Sequence, residues 1–280
     1  MTRPFSNIDV FGAGPVAGNP LAVVHDAQGL STDQMQRLTR WLNLSETTFL
    51  LPPSDPAADY RVRIFTLARE LPFAGHPTLG TCHAWLEAGG RPKRQDVIVQ
   101  ECGAGNVPLR QIDGRLAFCA PELLRSGPLT GEELTELTTA VGIDPADVID
   151  GAWVDNGPGW AALLLSSAEQ VLAVEAPTSH ATQLDMGVVG FHPPGAEPDV
   201  EVRAFFSDAH GRVVEDPVTG SLNASVAQWL IGSGRVGAPY VAGQGRKVGA
   251  DGRVHLSLDE DGAIWVAGET TTLVEGTLRL

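Results

Sequence analysis

The chain has 280 residues, 43% hydrophobic and 19% charged, and its 19 Lys and Arg stand against 34 Asp and Glu for a net charge of −15. With no run of five basic residues to replace phosphate counterions, nucleic acid and anionic membrane surfaces are excluded as partners. The longest apolar stretches, such as residues 160–165, fall far short of the roughly 20 residues that span a bilayer, and Thr2-Arg3-Pro4-Phe5 opens no signal-peptide core, so a soluble, cytoplasmic protein is expected.

In chain order, alternating and apolar runs predict strands over residues 7–11 and 20–25. A helix over Thr32–Leu42 follows, opened by the capping box Ser31 and Gln34. Strands are predicted over 47–51 and 62–65, an apolar helical run at 83–86, and strands over 96–101 and Arg115–Cys119. The Pro and Gly content of residues 121–128 marks a boundary. A second capping box, Thr130 with Glu133, starts a helix over Gly131–Val141 that Gly142 stops. Beyond it come strands at Ala161–Leu165 and 202–205, a helical run at 224–230, and strands at 253–258 and 263–267. Three cysteines, Cys82, Cys102 and Cys119, form no C-x-x-C, which fits a reducing compartment. The seven histidines show no H-x-H or H-E-x-x-H spacing, so no metal site is expected.

The two halves of the chain repeat. Val62-Arg63-Ile64-Phe65 falls on Val202-Arg203-Ala204-Phe205 at an offset of 140 residues, and His76-Pro77-Thr78-Leu79-Gly80-Thr81 falls at the same offset on Asp216-Pro217-Val218-Thr219-Gly220-Ser221. Each half therefore reads as a strand, a turn, and a proline opening a helix whose small first-turn residues leave N–H groups open to an anion. The expected architecture is α+β. It comprises two related domains, 1–122 (with a last strand that residues 268–280 can supply) and 123–267, each a curled, mostly antiparallel sheet around one central helix, meeting across a cleft.

Three ionisable residues stand out. Glu46 lies where a helix gives way to an apolar strand, a setting that raises a carboxylic acid toward neutrality and suits it to moving protons; a strand-end Glu facing water is the plainer alternative. His76 precedes Pro77, where a helix N-terminus favours the neutral imidazole. Asp216 is its counterpart at the 140 offset. Gly12-Ala13-Gly14-Pro15-Val16-Ala17 matches a dinucleotide fingerprint, but a strand pattern follows it where that fold needs a helix, so no nucleotide site is expected. Cys102 has no cysteine partner at the offset and reads as a structural strand-end residue.

Together these segments resemble the PhzF family of phenazine-biosynthesis isomerases, which shares its fold with diaminopimelate epimerase. The resemblance rests on Val10-Phe11 through Gly18-Asn19-Pro20-Leu21-Ala22-Val23-Val24, on Leu44-Ser45-Glu46-Thr47-Thr48-Phe49, and on Arg63-Ile64-Phe65-Thr66. It continues through Glu70-Leu71-Pro72-Phe73-Ala74-Gly75-His76-Pro77-Thr78-Leu79-Gly80 and Glu215-Asp216-Pro217-Val218-Thr219-Gly220-Ser221. It implies a cofactor-free isomerase acting on a small carboxylic acid such as trans-2,3-dihydro-3-hydroxyanthranilate, and a homodimer. Glu46 would be the proton-shuttling carboxylate, with His76 and Asp216 as its catalytic partners. Asn19, Gly75, Gly220 and Ser221 would bind substrate. Epimerases of this fold use two cysteines at the helix starts, which here hold His76 and Asp216. Leu67, where many members have proline, and the segment Asp155-Asn156-Gly157-Pro158-Gly159-Trp160 depart from the family pattern. Two alternatives stand beside the isomerase: an epimerase or racemase of an amino or hydroxy acid, and a catalytically silent binder of small acids.

Overall fold

The computed structural model describes residues 2–208 and 211–280. The chain forms two compact units, the first Met1–Cys119 with Ala267–Leu280, the second Ala120–Val266.

In the first unit the strands β1 (Thr2–Val10), β2 (Asn19–Val24), β3 (Glu46–Leu51) and β4 (Tyr60–Thr66) pair in sequence order, β2 with β3 in parallel. Helix α1 (Thr32–Leu42) fills the crossover between β2 and β3. Its Ser31–Gln34 capping box is formed, Asn43 ends it in the left-handed region, and Met35, Leu38 and Thr39 are its buried face. After the short β5 (Glu70–Leu71) comes α2 (Gly75–Glu87), then β6 (Ile98–Cys102), β7 (Gly105–Ile112) and β8 (Arg115–Cys119). β6 pairs in parallel with β4, and β6, β7 and β8 pair antiparallel in turn. The last strand, which we number β18 (Thr270–Arg279), pairs antiparallel with β1. α2 touches β1, β2, β3, β8 and β18, strands from both margins of the sheet, so the sheet curls around it. A helix so enclosed needs apolar or small residues on all sides, and nine of its thirteen residues are buried.

The second unit repeats this order. β9 (Arg125–Pro128) leads into α3 (Gly131–Val141), which keeps its Thr130–Glu133 capping box and ends at Gly142 with φ 66°. Then come β10 (Val148–Asp155), β11 (Ala161–Leu165), α4 (Ala168–Ala173), β12 (Asp185–Phe191), β13 (Val200–Ser207), β14 (Val213–Asp216) and α5 (Gly220–Gly232). β15 (Tyr240–Gln244), β16 (Gly252–Leu258) and β17 (Ile264–Gly268) complete the sequence. β11 with β12 and β13 with β15 are the parallel pairs, matching β2 with β3 and β4 with β6. β9 pairs with β10 as β18 pairs with β1.

The constant 140-residue offset is corrected by the register. In the first unit Phe65 faces Glu70; in the second, Phe205 faces Glu215, so the β13–β14 hairpin carries five more residues than the β4–β5 hairpin. From there the equivalence runs at 145. α2 and α5 are both thirteen residues long and start at Gly75 and Gly220, so Leu71-Pro72-Phe73-Ala74-Gly75-His76 corresponds to Asp216-Pro217-Val218-Thr219-Gly220-Ser221. His76 is therefore the counterpart of Ser221, and Asp216 is the counterpart of Leu71. Asp216 ends β14 and Pro217 lies in the turn before the helix, whereas Pro77 does sit in the first turn of α2.

Close packing of α2 on the sheet depends on Gly80. A Cβ there would lie 2.7 Å from Leu21 Cδ2 and 2.9 Å from Val10 Cγ2. Gly80→Val is expected to destabilise the protein by about 2 kcal/mol through overpacking, read as a lower urea midpoint at unchanged m value.

Candidate active site

Glu46 opens β3 between Leu21 of β2 and Thr66 of β4, and its side chain is only 15% exposed, which sets aside the water-facing alternative. Its Oε2 lies 3.4 Å from Nε2 of His76. His76 is the second residue of α2, with a side chain 5% exposed. Burial pushes its pKa down to about 3, because an imidazolium loses more hydration here than its surroundings return. The neutral form expected from the helix end is thus present, but burial is its cause. With the imidazole held neutral, Glu46 is the acidic member of this pair. Asn19 starts β2 opposite Val10 and is fully buried; Gly75 starts α2 and is buried. The glycine-rich stretch before Asn19 feeds β2, a strand, and is tied down by Asp9, which accepts from the N–H groups of Ala17 (3.1 Å) and Gly18 (2.9 Å).

The two central helices begin alike. α1, α3 and α4 have side-chain N-caps, but α2 is preceded by Ala74 and α5 by Thr219, neither of which makes a side-chain cap bond. Their first-turn N–H groups keep the partial positive charge that receives anions. No thiol stands at either start, so the corrected equivalence leaves the argument against a two-thiol racemase in place.

In the second unit Gly220 is the first residue of α5 and Ser221 the second. Ser221 is held by a loop that sequence reasoning had marked only as a departure from pattern. Trp160 Nε1 donates to Ser221 Oγ at 3.0 Å and Asn156 Nδ2 donates to the Ser221 carbonyl at 2.8 Å. Asp155 shapes that loop by accepting from the N–H groups of Gly157 and Gly159, both at 2.7 Å. Asp216 is 8% exposed and accepts a 2.6 Å hydrogen bond from the Thr219 hydroxyl. Thr219 was not singled out from sequence; the available signal was its place just before the helix-opening glycine. Cys102 ends β6 with its Sγ donating to the Gly105 carbonyl at 3.4 Å, a strand-end structural role.

Residues 8–276 match the family model of the phenazine biosynthesis-like proteins (PhzC-PhzF). The chain belongs to this family. Its relatives include antisense-enhancing sequence 1 of Schizosaccharomyces pombe, 34% identical with 97% of both chains covered. The trans-2,3-dihydro-3-hydroxyanthranilate isomerase of Pseudomonas aeruginosa is 32% identical over 98% of both chains. Among solved structures, a predicted epimerase from Pseudomonas aeruginosa superposes with a TM-score of 0.79 at 28% identity, covering 99% of each chain. The PhzF-like chain is thus of the isomerase and epimerase type, on the α+β fold that such proteins share. Among the described residues no helix is long and apolar enough to cross a membrane.

Proposed function

We propose that this PhzF-like protein is an isomerase that moves a proton between two carbons of a small carboxylic acid, with trans-2,3-dihydro-3-hydroxyanthranilate as the candidate substrate. The observation that carries the reading is the enclosed pair of Glu46 and a neutral His76 at 3.4 Å. Glu46 takes the proton from one carbon as the C–H electron pair shifts into the adjacent π system. It then returns the proton to the carbon at the far end of that system. His76, buried and uncharged, orients the carboxylate and offers hydrogen bonding without competing for the proton. The chain's own side chains carry the whole transfer. Family resemblance alone assigns the substrate carboxylate to Gly220 and Ser221 and gives Asp216 contact with substrate.

The direct test is turnover. Purified protein mixed with the acid should convert it to a product with a relocated double bond; saturable binding without any product would instead support the catalytically silent alternative. The Ser221 assignment has its own test. Trp160→Phe keeps an aromatic ring but loses the indole N–H that donates to Ser221 Oγ, and one such hydrogen bond is worth about 1 kcal/mol. KM is expected to rise about fivefold with kcat changed less than twofold. An unchanged KM would remove Ser221 from substrate binding.

A further inference from the structure

The turn that presents Asp216 contains a hydrogen-bond chain in which backbone groups of fixed role set the direction of both side-chain amides. Asn223 Nδ2 donates to the Thr219 carbonyl at 2.9 Å, which settles the orientation of the Asn223 amide because a carbonyl can only accept. The same Nδ2 donates to Gln244 Oε1 at 2.8 Å, and the Thr219 backbone N–H donates to that oxygen at 3.0 Å. Two obligate donors on one oxygen settle the Gln244 amide in turn. Its Nε2 therefore donates, to the Asp216 carbonyl at 3.1 Å and to Thr219 Oγ1 at 2.9 Å. The Thr219 hydroxyl, which receives a hydrogen bond from Gln244, has its own O–H left to donate to Asp216 Oδ2, at 2.6 Å. Gln244 is fully buried with both its donors and both its acceptor sites used, so the arrangement has no alternative state available at low cost.

We propose that Thr219 and Gln244 are positioning residues that hold Asp216 as an ionised hydrogen-bond acceptor, so that it engages an amino or hydroxyl donor of the substrate and does not serve as a proton-donating acid. The inference rests on the isomerase reading for the part Asp216 plays with substrate, but the relay itself is independent of turnover. A hydroxyl that donates to a carboxyl oxygen while its own oxygen accepts from an amide is polarised toward donation and favours the carboxylate over the acid. Most charged groups on the surrounding elements are engaged with one another. Arg203 of β13 holds Glu215 of β14 at 2.7 Å, and Arg246, after β15, lies 3.6 Å from both Glu201 and Asp251. Lys247 follows Arg246, and β16 brings Arg253, bound to Asp251 at 2.6 Å, and His255. α5 itself carries no charged residue. An epimerase that alternates Asp216 between base and acid would need the opposite arrangement, a carboxyl free to keep its proton.

The test compares wild type with Thr219→Val and Thr219→Ser. The protein is labelled with carboxyl-¹³C aspartate, and the Asp216 resonance is assigned with Asp216→Asn and titrated by NMR without substrate. Thr219→Val should raise the Asp216 midpoint by about one pH unit, and Thr219→Ser should restore it. The acid limb of kcat/KM on trans-2,3-dihydro-3-hydroxyanthranilate should move up by the same amount in the valine variant and return in the serine variant. An unmoved midpoint in Thr219→Val overturns the relay. A moved midpoint with an unmoved kinetic limb leaves the relay standing and overturns the role of Asp216 toward substrate. If the valine variant does not fold, Thr219→Ala read in the same way replaces it.

Discussion

Glu46→Gln is expected to lower kcat on trans-2,3-dihydro-3-hydroxyanthranilate by about 10³-fold while leaving the dissociation constant within about threefold. The amide keeps the shape of the side chain, its place at the start of β3 and its approach to His76, but it cannot accept and return a proton. Glu46→Asp should fall between the two. It keeps the acid but withdraws it by one methylene, and a general base must lie within hydrogen-bond reach of the proton it abstracts. Steady-state rates with calorimetric titration of each variant give the comparison. A Glu46→Gln variant within tenfold of wild type would place the proton transfer elsewhere.

The second large effect is on acid stability, and its sign follows from His76. In the unfolded chain this residue titrates near the ordinary histidine value of 6.5, but in the folded protein burial lowers it to about 3. Between these values the unfolded chain binds a proton that the native state refuses. The stabilising contribution is therefore complete above about pH 6.5 and is lost as pH falls toward 3, at up to about 1.4 kcal/mol per pH unit. Replacing the imidazole with a group that does not titrate, as in His76→Gln, should flatten that part of the profile even if stability at pH 7 drops. Urea unfolding at pH 7, 6, 5 and 4 reads both slopes. Parallel profiles for the two proteins would mean that His76 takes up its proton in the folded state as readily as in the unfolded one.

What could be read from the sequence was decided by whether local signals and tertiary demands agreed. The two helices with capping boxes, α1 and α3, were legible to the residue because Ser31 with Gln34 and Thr130 with Glu133 close their boxes inside four residues, and those contacts form as expected. Glu46 and His76 were legible as candidates because each breaks the pattern around it. Strands β12 and β15 were not seen, and glycines explain why. Gly187 and Gly190 interrupt the alternation of β12, yet a Cβ at Gly187 would meet Leu222 at 2.9 Å. Gly243 in β15 likewise leaves room for Pro198. Such residues weaken a strand signal for the sake of a neighbour hundreds of atoms away along the chain. The helix-start equivalence failed for a related reason. His76-Pro77 and Asp216-Pro217 match as strings, but five additional hairpin residues shift the second helix, and only strand register reveals them. Trp160 was marked only as part of a segment that departs from the family pattern, and nothing in it pointed to Ser221, its partner 61 positions away.

The central claim is a proton carried from one carbon to another, and the position of solvent deuterium tests it most directly. Wild-type protein should be incubated with trans-2,3-dihydro-3-hydroxyanthranilate in deuterium oxide and the product examined by ¹H and ²H NMR. The account predicts a relocated double bond, with the receiving carbon carrying substrate protium, or deuterium only to the extent that the Glu46 acid exchanges with solvent between the two steps, and with no deuterium at the carbon that lost its proton. Deuterium returned to the original carbon with inversion of its configuration would make the protein an epimerase and contradict the account.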